Sequence, residues 1–256
     1  MRLFRKMLLE ICPAAILITL LGSITLSIAC YIVSTNTSIY YPIEIWIEGC
    51  SWLDFFLPLI AVTPFSYTLY MKRKNNYLTY AAVRIDGKRY IRTSILAGMT
   101  AAGVSVFIIY FSALLISLEF FYHGADFENK YILDYIFGTM QAEHPVWFGL
   151  LWCLWKGLVS SLFTWFGYRL ALYINQVFLI STLPFLYCMA ENMCLSLLGK
   201  PAFSLTTVFV LNRLSPQVMH VWNYGFGLIS YVIVVNFILW ILKKKRGGVY
   251  ESDSYN

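Results

Sequence analysis

An all-α, polytopic membrane protein with six transmembrane helices is the fold class this sequence predicts, and three observations predict it. Of the 256 residues, 59% are apolar and 12% charged, too little polar surface for a water-soluble domain of that size. The apolar residues gather into runs of about 20, the length of helix that crosses a ~30 Å hydrocarbon core. Fifteen of the nineteen Lys and Arg residues fall in alternate connections, the bias that orients membrane helices. Each span has to satisfy its own backbone in lipid, so helices are expected throughout.

The elements follow in order. Met1–Glu10, with Arg2, Arg5 and Lys6, reads as a basic amphipathic segment lying before span one, residues 11–33. Pro13 falls in the first turn of that span, where its missing N–H costs little. Ser27-Ile-Ala-Cys30 resembles a lipoprotein cleavage site, but the apolar run is longer than a signal-peptide core, so the span is read as retained. Residues 34–51 form an outer connection without Lys or Arg and carry the sequon Asn36-Thr-Ser38. Span two, 52–70, contains Pro58 and Pro64, which should kink or break it. The hairpin 71–93 carries seven cations, and span three, 94–121, follows it. The connection 122–145 is acidic and leads to span four, 146–168. A short turn bearing Arg169 precedes span five, 176–198. In the 199–223 connection, Ser204–Leu211 is apolar but too short to cross, and reads either as a half-membrane re-entrant piece or as an interfacial helix. Span six, 224–242, ends in the basic tail 243–256. With the cations on one side, both termini are predicted to be cytoplasmic. The same asymmetry accounts for the net charge of +6 and calls for no nucleic-acid partner.

Within the hairpin, residues 76–85 have the spacing of a short amphipathic helix. Tyr77, Tyr80, Ala81 and Arg84 share one face, and Leu78, Ala82 and Ile85 share the next. Gly87 reads as its C-cap, and Lys88, Arg89 and Arg92 as snorkelling anchors at the start of span three. Such a helix either rests on anionic lipid or docks a cytoplasmic partner.

Ionisable residues inside spans are functional suspects. Lys156 lies near the middle of span four and Glu191 in the outer half of span five. Their depths differ by less than a lysine side chain reaches, so they are predicted to pair, either pinning the two spans together or lining a translocation path. Asp54 and Glu119 read as rim residues. Trp46, Trp52, Trp147, Trp152, Trp155 and Trp222 fit an aromatic belt or an aromatic-lined cleft. Cys12, Cys30, Cys50, Cys153, Cys188 and Cys194 fall mostly in apolar runs, where cysteine packs as a small hydrophobe. Neither a phosphate-binding loop nor a His-x-x-x-His or Gly-x-Ser-x-Gly motif occurs, which argues against an ATP site of that type or an enzyme active site in this chain.

Six spans with both ends inside, the basic segment Met1–Glu10, and the passage from Leu57 to Phe65 (LPLIAVTPF) into Tyr80-(x)3-Arg84-(x)3-Lys88-(x)-Tyr90 together resemble an ABC-2-type permease. That family supplies the membrane subunit of bacterial ATP-binding-cassette exporters. The likeness in topology covers the chain, and the likeness in residues covers about 57–93. The family often has an acidic residue and a glycine just after span two, where this chain has Lys72, Lys74, Asn75 and Asn76. The resemblance implies that 1–256 is one permease domain of a bacterial cell membrane, with Tyr77, Leu78, Tyr80, Arg84 and Ile85 as the ATPase-coupling residues. It further implies a separate ABC ATPase subunit carrying ATP and magnesium, and a second permease copy, identical or not. Membrane lipid would surround the assembly, with amphipathic peptides, drugs or lipids as cargo. The rival readings are a non-transporting scaffold or immunity protein that binds a toxin or sensor, and a membrane enzyme.

Overall fold

The computed structural model describes residues 2–37, 39–78, 80, 86–121 and 131–246. Every regular element among them is helical. Five helices are long and apolar enough to cross a membrane: α1 (Arg2–Asn36), α4 (Gly87–Ile116, continued by a π-helical turn to Phe121), α6 (Pro145–Tyr173), α7 (Val177–Leu197) and α9 (Val221–Arg246). A bent pair, α2 (Glu44–Asp54) and α3 (Leu57–Lys74), whose axes meet at 54°, makes a sixth apolar stretch of spanning length when taken as one unit. Two short helices, α5 (Gly138–Glu143) and α8 (Leu205–Phe209), lie in connections.

The surface is that of a membrane protein. Ile16, Leu17, Leu20, Leu21, Ile24 and Ile28 of α1, Leu151, Leu154 and Leu158 of α6, and Ile229, Ile233 and Phe237 of α9 all point outward, whereas Asp54, Lys156, Ser160 and Thr164 are buried. A soluble monomer does not expose contiguous apolar area on this scale.

Four sequence expectations change. Met1–Glu10 is not a separate segment: from Arg2 onward it runs unbroken into span one, because nothing between residues 2 and 12 breaks a helix. Met7 and Ile11 are buried there. At 35 residues, α1 is about 50 Å long, so its basic first turns project beyond any ~30 Å core. Residues 44–51 are not loop. They belong to α2, which packs on α1 so closely that a Cβ on Gly49 would stand 2.7 Å from Cys30 Sγ. Trp46 is accordingly buried rather than in an interfacial belt. Gly87 does not end a helix. It opens α4, and Asp86 is the N-cap, its carboxylate accepting from the Lys88 N–H. The left-handed residue of this region is instead Asn76, at φ 56°, just past α3; asparagine tolerates that conformation better than most side chains.

The break in span two was expected at its prolines, and its position has a specific cause. Pro58 sits in the first turn of α3. Its ring would clash with the carbonyl four residues back, that of Asp54, if the helix continued. The chain therefore turns at Phe55–Phe56, and Pro64 remains inside α3.

Small residues set the central contact. On α4 and α6, Gly103 and Gly157 face each other so closely that a Cβ on Gly157 would lie 2.9 Å from the Gly103 carbonyl oxygen. Close backbone approach of this kind is a standard basis of helix packing in lipid. α7 ends in a Schellman motif: Gly199 adopts φ 69°, its N–H donates to Ser196 O, and the Lys200 N–H donates to Leu195 O.

Candidate functional site

The most polar feature within the spans is a buried ion pair built where α2, α4 and α6 meet. Asp54 is the last residue of α2. Its Oδ1 accepts from Lys156 Nζ at 2.6 Å and from Tyr110 Oη at 2.7 Å. The ammonium also lies 4.0 Å from the centre of the Tyr110 ring and 5.8 Å from that of Trp46. Trp46 Nε1 closes the group by donating to the Tyr110 carbonyl at 3.0 Å. Asp54 and Lys156 are each 1% exposed. Charges so far from water require mutual neutralisation and further hydrogen bonds, and both are present.

The predicted Lys156–Glu191 pair is therefore corrected: Lys156 binds Asp54, and Asp54 is no rim residue. The reason is the bend. α2 carries the chain inward through eleven residues ending at Asp54, about 16 Å of helix. Lys156 stands at a comparable distance from the start of α6 at Pro145. A straight span beginning at residue 52 would have left Asp54 at the surface.

Glu191 does other work. Its carboxylate accepts from Ser204 Oγ at 2.8 Å and from the Leu205 N–H at 3.0 Å, and the Ser204 hydroxyl in turn accepts from the Thr206 N–H. Together they cap α8, a single helical turn whose five residues are all buried. Burial on all sides differs from the one-faced burial of an amphipathic helix resting on a membrane surface. Trp155 Nε1 donates to Val208 O, Asn223 Nδ2 to Ala202 O, and Arg213 to both Asn192 Oδ1 and Thr207 Oγ1. Burial lowers the pKa of Arg213 from its ordinary value, and the Glu191 charge opposes that shift. Glu191→Ala leaves the Ser204 hydroxyl and the Leu205 N–H without their acceptor. It should cost about 1–3 kcal/mol, against about 1 kcal/mol for Ser204→Ala, the loss of an N-cap. Thermal unfolding in detergent micelles should rank the two in that order.

At the other end of the bundle the basic hairpin begins on a braced base. Lys72 pairs with Glu10 of α1 and lies 5.8 Å from the centre of the Tyr90 ring. Tyr77 packs against Tyr90 with ring centres 6.2 Å apart. Arg73 reaches the turn between α6 and α7, donating to Ile174 O and Asn175 Oδ1, and Tyr70 Oη donates to Asn175 O. Of the residues predicted to couple to a partner, Leu78 is buried in the chain's own core, while Tyr77 is exposed and Tyr80 is 72% exposed. Arg84 and Ile85 lie outside the described residues. The sequence reading missed the roles of Arg73, Tyr110 and Asn175. Arg73 was counted only as one of the seven hairpin cations, and nothing else in the sequence marked it.

No family model, no curated protein and no solved structure matches this chain.

Proposed function

We propose that the chain is the membrane subunit of an ATP-binding-cassette exporter, with the 71–93 hairpin as the element that receives the ATPase stroke. The observation that carries this reading is the braced hairpin base. Tyr80 projects from a stretch tied to α1 through Lys72–Glu10, to α4 through Tyr77–Tyr90, and to the α6–α7 turn through Arg73. A displacement applied there reaches four spans at once. Exposed tyrosine gives contact area at little cost in side-chain entropy, which suits docking on a protein. In this reading both termini and the hairpin face the cytoplasm of a bacterial cell. A second permease copy completes the pathway, the partner ATPase holds ATP and magnesium, and amphipathic molecules are the cargo.

Two experiments test it. Cysteine labelling should place residues 72–92 and 243–256 inside and residues 122–145 outside, and outside labelling at position 75 would remove the six-span arrangement this reading needs. Substituting Tyr80 and Arg84 together by alanine should cost about 2 kcal/mol or more at a docked interface, roughly thirtyfold in affinity. The ATPase subunit would then be lost from the membrane fraction, or would hydrolyse ATP without export, while the chain inserts normally. Replacing Arg89 instead should weaken lipid attraction, at about 1 kcal/mol. A Tyr80/Arg84 variant that keeps its ATPase and exports at the unaltered rate would reduce the hairpin to a solvated loop.

A further inference from the structure

Two arginines meet at the hairpin end of the bundle without an acid between them. On α4, Arg92 and Leu96 continue, at helical spacing, the row of Met99 and Gly103 that meets α6. That contact fixes the register of the two antiparallel helices. The Ser161 hydroxyl donates to Met99 O at 2.9 Å, and a Cβ on Gly103 would stand 3.0 Å from Gly157 O. Two turns further toward the hairpin, the same register sets Arg169 level with Arg92. The helices still touch there, since a Cβ on Gly98 would overlap the ring of Tyr168. Arg169 follows the exposed Leu158 by three turns, so it lies on the face of α6 that points outward. Arg92 is exposed and Arg169 half-buried.

The charge is not neutralised within the chain. Among the described residues, neither arginine has a hydrogen bond, ion pair or ring contact. The described carboxylates at this end, Glu10 and Asp86, are engaged elsewhere, with Lys72 and with the Lys88 N–H. Toward the middle of the bundle the same surface turns apolar: Leu96 is exposed on α4, and Trp165 and Leu158 follow Arg169 along α6. A cationic end above an apolar wall is complementary to an anionic amphiphile.

We infer that Arg92 and Arg169 together hold the phosphate of one anionic glycerophospholipid of the phosphatidylglycerol class, its acyl chains running along the outward faces of α4 and α6. Guanidinium groups bind phosphate through paired N–H donors, and basic recesses between membrane helices suit such headgroups. Charge selects the class. A choline or ethanolamine headgroup would bring its own cation among the arginines, whereas a glycerol headgroup leaves the phosphate charge uncancelled. The inference needs the helices to cross a bilayer and does not depend on the exporter reading.

The test is native mass spectrometry of the full chain released from nanodiscs of equimolar phosphatidylglycerol and phosphatidylcholine with identical acyl chains. The unaltered protein should retain phosphatidylglycerol at least tenfold over phosphatidylcholine. Arg92→Gln and Arg169→Gln keep much of the side-chain bulk. Each should lower phosphatidylglycerol retention about thirtyfold, the loss of hydrogen bonds to a charged group, and leave phosphatidylcholine unchanged. The double variant should fall little below either single one, because the two groups share one phosphate. Arg5→Gln removes a cation of the same end but on α1, and should cost about fivefold at most, the worth of one diffuse surface charge. Equal retention of the two lipids by the unaltered protein would overturn the site, and that comparison decides even where a variant fails to fold. Equal losses in the Arg5, Arg92 and Arg169 variants, multiplying in the double one, would reduce the site to diffuse surface charge. Displacement of the bound lipid by millimolar inorganic phosphate would make it a site for a free anion and overturn the lipid.

Discussion

Lys156→Ala should lower the stability of the folded chain by about 3–5 kcal/mol, because it leaves the Asp54 carboxylate buried without its counter-charge. Asp54→Ala should cost a similar amount for the converse reason. The Lys156→Met, Asp54→Leu double variant should be milder than either single one, since two well-packed apolar residues need no solvation where an ion pair needed neutralisation. The coupling energy from this double-mutant cycle, read by thermal unfolding in detergent micelles, should exceed 0.5 kcal/mol. Additive losses would mean that the two groups do not stabilise each other. Tyr110→Phe removes one of the two bonds to Asp54 Oδ1 and should cost about 1.5–3 kcal/mol, as expected for a hydrogen bond to a charged group. A matching cycle between Lys156 and Glu191 should show no coupling, as Glu191 binds Ser204 and Leu205 instead.

Gly157→Leu should be among the most damaging substitutions between the long helices. The atom that an added Cβ would meet is the Gly103 carbonyl oxygen, 2.9 Å away. That atom is backbone and cannot rotate aside, so α4 and α6 would have to separate. Overpacking typically costs about 1–3 kcal/mol, and here the upper end is expected, with loss of monodisperse protein on extraction. Gly225→Leu is the contrasting case, since open space surrounds that position. It should unfold at or above the temperature of the unaltered chain, because glycine is a poor helix former.

Much of the fold was legible before any coordinates. Spans four and five were drawn at 146–168 and 176–198, and the helices run Pro145–Tyr173 and Val177–Leu197. Hydrophobic length is a local property read residue by residue, and lipid leaves the backbone few other options. The prolines of span two announced its break. What was missed lay at the joins. Residues 44–51 read as loop because Glu44 and Glu48 interrupt the apolar pattern, yet Glu48 lies, with Ser51 and Trp52, among the exposed positions of a helix whose other residues are buried or half-buried. Gly87 read as a stop because glycine commonly ends helices, but the aspartate before it caps the next one.

The candidate site was less legible than the fold. Lys156 and Glu191 were both marked as anomalous charges, and both turned out to hold something in place. Their partners, Asp54 and the cap of α8, lay beyond the sequence reading. Counting residues along straight helices gives depth, whereas the partner of a charge depends on rotation about each helix axis and on how far a bend displaces the chain. The amino-acid order thus specifies the long apolar helices, their approximate ends and the asymmetry of charge, because each depends on hydrophobicity and charge within a short window. The 54° turn at Phe55–Phe56 brought Asp54 under Lys156, and the contact of Gly103 with Gly157 brought α4 close enough for Tyr110 to join them. Those pairings involve residues more than 50 positions apart and exist only once the helices have packed.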